Sequence, residues 1–184
     1  MSTISGEDQH LHKTENFEFT YLRDSAEIIE RLIEQVRNLS IELRPSLLDD
    51  LGLIAALRWH IDRIKQRSGL NLRFVPNNVD GHLNCDIEIA CFRVVQEALT
   101  NILRHSKAKN VKVELNLEDN KLHLFISDDG VGFDLKNIKI RILQGASLGL
   151  LNMQERVSLI NGKLKITTAP NQGTEIHAYF PLIT

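Results

Sequence analysis

The sequence predicts an α+β fold: a mixed sheet with its helices on one face, a two-layer sandwich preceded by a helical extension. Three observations point there. Apolar residues recur first at the helical period and later in strict alternation. From about residue 46 the segments then follow the order helix, strand, helix, hairpin, loop, helix, hairpin, with no internal repeat. Finally, 184 residues with 42% hydrophobic and 25% charged side chains can bury an ordinary core, which excludes a disordered chain as the default.

Residues 1–19 are polar and aperiodic and are expected to form a flexible arm. Leu22, Ile28, Ile29, Leu32, Ile33, Val36, Leu39 and Leu43 then fall at helical spacing, so one long amphipathic helix is expected up to Pro45. "SLLDDLGLIAALRWHIDRIKQRSG" resumes a helix that Gly69 can end. "LNLRFV" alternates like a strand, with Pro76, Asn77 and Asn78 expected to close it. The next helix is the most apolar, from Cys85 to about His105, with Ile87, Ile89, Ala90, Val94, Ala98, Leu99, Ile102 and Leu103 as core candidates. "VKVELNL" and "KLHLFIS" flank a short turn and read as an antiparallel hairpin. Residues 133–147 have no clean period, the mark of a functional loop or lid. "LGLLNMQERVSLI" is a helix ended by Asn161 and Gly162, and two last strands, "KLKITTA" and "TEIHAYFPL", flank "PNQG". The expected organisation is an arm at 1–19, a helical region at 20–68 and an α+β domain at 69–184.

Several function classes lose ground at once. A formal net charge of -2 leaves no basic footprint for nucleic acid. No apolar run approaches the roughly 18 to 20 residues a membrane span needs, and the N-terminus lacks an apolar signal core. Cys85 and Cys91 stand six apart in one helical pattern, where a disulfide is geometrically disfavoured, so a reduced, cytoplasmic setting is expected. The seven histidines form no HExxH and the cysteines no CxxC, which argues against a transition-metal site.

Four patterns carry chemistry. In "SDDGVGFD", Asp128, Gly130 and Gly132 form DxGxG at a strand end, where glycines permit close backbone approach and a carboxylate can accept from an amino group. The same letters also make a common turn. Glu97, Asn101 and His105 lie at i, i+4 and i+8, on one face of an otherwise apolar helix. They are either its solvated side or an oxygen ligand set suited to Mg²⁺ completed by phosphate and water. Gly149 sits just inside a helix start, which is either an ordinary first turn or a phosphate site. Gly173 and Thr174 open the last strand, by themselves merely a turn.

Together these residues resemble the ATP-binding superfamily shared by DNA gyrase, the heat-shock chaperone, histidine kinases and the MutL repair proteins. "EALTNILRHSKA" resembles its N box, "DDGVGFD" its first glycine box, "SLGLLNMQER" its second and "GTEIHAYFPL" its third, in order across residues 92–181. "LSIELRPSLLDDLGLIAALRWHI", residues 39–61, is similar to the end of the dimerisation helix pair in sensor histidine kinases of the nitrate/nitrite-sensor type, a segment that gyrase and the chaperone lack. The resemblance implies the Bergerat ATP-binding fold, with ATP and Mg²⁺ as cofactors. It implies that Asp128 meets the adenine amino group, that Gly130 and Gly132 let the loop pass close to the nucleotide, and that Asn101 ligates Mg²⁺. Glu97 then orients a metal-bound water or acts as a base, and His105 and Lys107 lie near the phosphates. Ser147, Gly149 and Leu150 of the second box and Thr174 of the third complete the cofactor set, with residues from about 135 to 148 as the lid.

Two departures stand out. Ser147, Leu148, Gly149, Leu150 replace the frequent GxGL, with Asn152 where a glycine is common, so Gly149 is the better phosphate contact and Ser147 the weaker. No H box resembling ERxRIARELHD occurs, and His10 and His12, in the polar arm, lack its flanking residues. The expectation is therefore a histidine-kinase catalytic domain in a fragment beginning inside the second dimerisation helix. The intact kinase would be a homodimer, would pass phosphate to a response regulator and would meet a membrane only through segments absent here. The alternatives are a nucleotide-binding regulator of the anti-sigma-factor kind, which does not need residues 39–61, and a standalone ATPase with Glu97 activating water.

Overall fold

The computed structural model describes residues 46–79, 81, 83–135 and 148–182. The arm, the amphipathic helix expected before Pro45, Ser147 and most of the expected lid lie outside them. The chain divides between Ser46 and Leu47, so the described residues, Ser46 apart, belong to one unit.

That unit is built on a five-stranded sheet in the order β1-β2-β3-β5-β4. The strands are β1 (Asn71–Asn77), β2 (Asn110–Glu118), β3 (Lys121–Asp128), β4 (Lys163–Thr168) and β5 (Thr174–Pro181). β1 runs parallel to β2 and the other pairings are antiparallel, so the sheet is mixed, as the sequence predicts. Alternation decides which face is covered. Leu72, Val111, Val113, Leu115, Leu122, Leu124, Ile126, Ile176, Ala178 and Phe180 are buried on one side, while their neighbours Lys121, His123, Glu175 and His177 are exposed on the other.

Among the described residues three α-helices supply the covering layer: α1 (Ser46–Ser68), α2 (Cys85–Asn101) and α3 (Leu148–Ser158). In α1 the helical path breaks at Gly52 (φ 74°, ψ 175°), a backbone region open essentially to glycine. Beyond the break Leu53, Ala56, Leu57 and Ile61 share a buried stripe, His60 stacks at a tilt on Phe92 of α2 (5.6 Å) and Arg58 lies over the Phe74 ring of β1 (5.7 Å). The Asn84 side chain caps α2 by accepting from Asp86 N (2.9 Å). Its buried Phe92, Val94, Val95, Ala98 and Leu99 are each large enough, Ala98 excepted, to contribute about 1.5–3 kcal/mol by burial.

Three expectations change in detail. β1 continues through Pro76 to Asn77 and the chain turns at Asn78 (φ 55°), because an edge strand tolerates a residue with no N–H to donate. The helix expected to end near His105 keeps α geometry only to Asn101, and Ile102–Ser106 is a π-helical turn closed by Lys107 in a left-handed conformation (φ 54°). The wider turn rotates the side chains out of phase with α2, so Leu103, a core candidate, is 47% exposed.

Candidate functional site

A cavity of about 370 Å³ opens where α2, the π-helical turn, the ends of β3 and β5 and the start of α3 converge. Its apolar walls are Ala98 and Ile102 from the helix, Ile126 and Ile176 from the sheet, Phe133 and Leu150. Ala98 and Ile102 read in sequence as core and Ile126 and Ile176 as strand residues, because the same inward face that builds the core continues into the cavity. Asn101, His105, Ser106, Asp128, Gly132, Gly149 and Thr174 supply the polar and backbone lining.

Asp128 ends β3 opposite Thr174 of β5. Burial pushes its carboxyl above the ordinary range, against the pull of the Gly130 N–H and the Thr174 hydroxyl, both donated to it; the neighbouring Asp129 charge pushes it further up. The Gly130 N donates to Asp128 Oδ1 at 2.8 Å. A carboxylate has about four acceptor positions, so two donors leave capacity for a ligand amino group. Around this group the glycine loop is tied down from two sides. Val131 N donates to Ser106 O (2.8 Å), Gly173 N to Gly130 O (2.9 Å) and Asn171 N to Val131 O (2.6 Å). Thr168 Oγ1 accepts from Phe133 N (3.1 Å) and donates to Gly173 O (2.8 Å), which fixes the ring that lines the cavity. A side chain at Gly130 would run into the Ser106 carbonyl, and one at Gly132 (φ 55°) into the Ala169 carbonyl, which explains both glycines by space.

On the helix side, Asn101 Nδ2 donates to Glu97 Oε1 (3.2 Å), one turn earlier. Engaging the amide nitrogen turns the amide oxygen into the group available to a cation. Among the described residues no cluster of three or more His, Cys, Asp or Glu could hold a metal. Mg²⁺ held by one or two protein oxygens plus phosphates and water needs no such cluster.

Of the expected residues, the structure brings Asn101, His105, Asp128, Gly132, Gly149, Leu150 and Thr174 to one cavity. Glu97 stands behind Asn101 and against Gly149; Gly130 shapes the loop without lining the cavity; Lys107 is exposed and away from the lining. Ser147 lies outside the described residues. Ser106, Phe133 and Thr168 were not read from the sequence. Ser106 follows Ile102 by four residues on the extended helical face, a signal that a strict α-helical stop conceals.

Residues 86–184 match the family described as histidine kinase-, DNA gyrase B-, and HSP90-like ATPase. The chain belongs to this ATPase family. An ATPase domain binds ATP, and the cavity lies inside the matched segment. Over 155 residues the chain is 40% identical to the oxygen sensor histidine kinase NreB of Staphylococcus carnosus (strain TM300), covering 84% of this chain and 44% of that protein. It is 36% identical over 163 residues to the signal transduction histidine-protein kinase/phosphatase DegS of Brevibacillus brevis, covering 89% and 41%. The chain thus spans less than half the length of these relatives. The fold is shared with the Acinetobacter baumannii histidine kinase AdeS (TM-score 0.57, 16% identity, 90% of this chain and 84% of that one). It is also shared with the blue-light activated histidine kinase of Erythrobacter litoralis EL346 (TM-score 0.56, 20% identity, 68% and 40%). No described helix of this ATPase domain is long and apolar enough to cross a membrane.

Proposed function

We propose that this chain is the ATP-binding catalytic part of a two-component sensor histidine kinase, supplying the γ-phosphoryl group for histidine phosphorylation and onward transfer to a response regulator. The observation that carries the reading is the convergence of Asn101, Asp128 and Gly149, from three separate elements, on one cavity. Both relatives named above are histidine kinases, which favours the kinase branch over a regulator or a standalone ATPase.

In this reading Asp128 accepts from the adenine amino group, and Ala98, Ile102, Ile126 and Ile176 exclude water from the base. Asn101 offers its amide oxygen to Mg²⁺, which would neutralise phosphate charge, and Glu97 holds that amide in orientation and is the base candidate. His105 and the first turn of α3 at Gly149 and Leu150 face the phosphates; Lys107 and Ser147 are assigned there by motif alone. Residues 20–68 are taken as the trailing part of the dimerisation region and 69–184 as the catalytic domain, with α1 docked on it by Arg58 and His60. The intact kinase is a cytoplasmic homodimer in its catalytic part.

Calorimetric titration with ADP, in magnesium and in chelator, tests the reading. Saturable binding is expected in both, tighter with magnesium, and Asn101→Ala should lose affinity mainly in magnesium because its contact is with the metal. No binding by the folded chain would overturn the assignment. Equal losses for the variant in both conditions would remove the metal role from Asn101.

A further inference from the structure

Glu97 and Gly149 come from different elements, fifty-two positions apart, and meet beside the cavity. A methyl group built at Gly149 would overlap Glu97 Oε1 and stand 2.9 Å from Glu97 Cδ. Among the atoms such a methyl would meet, the three nearest are all on Glu97. Gly149 has no left-handed backbone angle to explain it, unlike Gly132 and Gly173, so the conformation itself does not require glycine. What requires it is the carboxylate. Glu97 in turn accepts from Asn101 Nδ2, so the place of the carboxylate and the orientation of the amide are linked.

We propose that Gly149 is a positioning residue for Glu97: the side-chain-free start of α3 is the seat against which the Glu97 carboxylate stands, and that seat sets the orientation of Asn101. The function of the second glycine box in this chain is then partly steric, beyond the backbone N–H groups it offers to phosphate. The proposal rests on the roles given above to Glu97 and Asn101. Because Glu97 Oε1 is the tip of a flexible side chain, a methyl at 149 displaces it without unfolding the domain, and the consequence falls on the metal-linked part of binding.

The test is a double-mutant cycle with two readouts on the full chain. Gly149→Ala in a Glu97→Ala background should raise the melting temperature by ~2–4 °C, since alanine suits a helix better than glycine and nothing opposes it. In the wild-type background the same change should raise it clearly less, or lower it. Equal shifts in both backgrounds overturn the contact. For ADP, Gly149→Ala should lose most of the gain in affinity that magnesium confers while keeping the affinity measured in chelator. Adding Glu97→Asp, one methylene shorter, should restore part of that gain. A coupled melting shift with an unchanged magnesium gain, or with equal losses in magnesium and chelator, would reduce Gly149 to a packing contact and overturn the positioning role. If the wild-type chain binds no ADP, the kinase reading fails separately, and the melting cycle still decides whether Gly149 seats Glu97.

Discussion

Asp128 and Asp129 are neighbours in the chain and opposites in environment. Asp128 is half-buried at the cavity, with its carboxyl pushed up; Asp129 is exposed, and donors from Lys109 N, Asn110 N and Asn110 Nδ2 hold it down at about 2. Asp129 clamps the segment after the π-helical turn to the end of β3, so it is structural, where Asp128 lines the cavity and is the proposed ligand group. Asp128→Asn keeps the shape but replaces a pure acceptor with a group that also carries a donor. ADP affinity should fall by about 1–3 kcal/mol, read by calorimetry, with an unchanged melting profile. Unchanged affinity would take the adenine role away from it. For Asp129 the folded value lies below the ordinary 3.8, so its stabilising contribution is complete above that value and is lost as pH falls from 3.8 through about 2. Asp129→Asn should therefore destabilise the protein in urea at pH 7, with the difference from wild type shrinking towards pH 2. A difference that grows on acidification would contradict the clamp.

The turn between β4 and β5 works as the outer brace of the glycine loop. Gly173 has φ 67°, and a methyl there would overlap the Asp128 carbonyl, which is backbone and cannot swing aside. Gly173→Ala should cost roughly 2–4 kcal/mol, strain plus overlap, and should weaken ADP binding because it moves the end of β3. Gly81 provides the contrast, with φ 79° and nothing within 4 Å of an added methyl. Gly81→Ala should cost only the conformational part, about 1 kcal/mol, and leave ADP binding intact. Urea denaturation of both variants measures the difference. Similar costs for the two would mean that contact with Asp128 contributes nothing.

At the scale of the whole molecule, nucleotide binding and phosphoryl transfer separate. Transfer needs an acceptor held in line with the γ-phosphate, and these 184 residues contain no histidine in an H-box context. The chain should bind ATP and yet take up no label from γ-labelled ATP. A separate polypeptide carrying a complete helix pair and its histidine should be labelled by it in trans, slowly, since docking becomes bimolecular. Acid-labile, stoichiometric labelling of this chain alone, lost on replacing His10 or His12, would make the N-terminal arm the acceptor.

Periodicity by itself determined the element order and the mixed sheet, and the family resemblance of short motifs named most of the cavity's polar set. Those depend on local repeats of 2 and 3.6 residues and on short stretches such as "DDGVGFD", which survive in one dimension. Tertiary structure alone decided that Asp129 clamps the segment after the π-helical turn and that the core wall of Ile126 and Ile176 doubles as the wall of the site. It also decided that Pro76 lies within a strand, since edge position is a property of the assembled sheet. Ser106 and Leu103 escaped because a π-helical turn changes the phase of side chains without changing their letters. The contact of Gly149 with Glu97 has no trace in either motif, because steric exclusion acts between residues that meet only after α2 and α3 have packed.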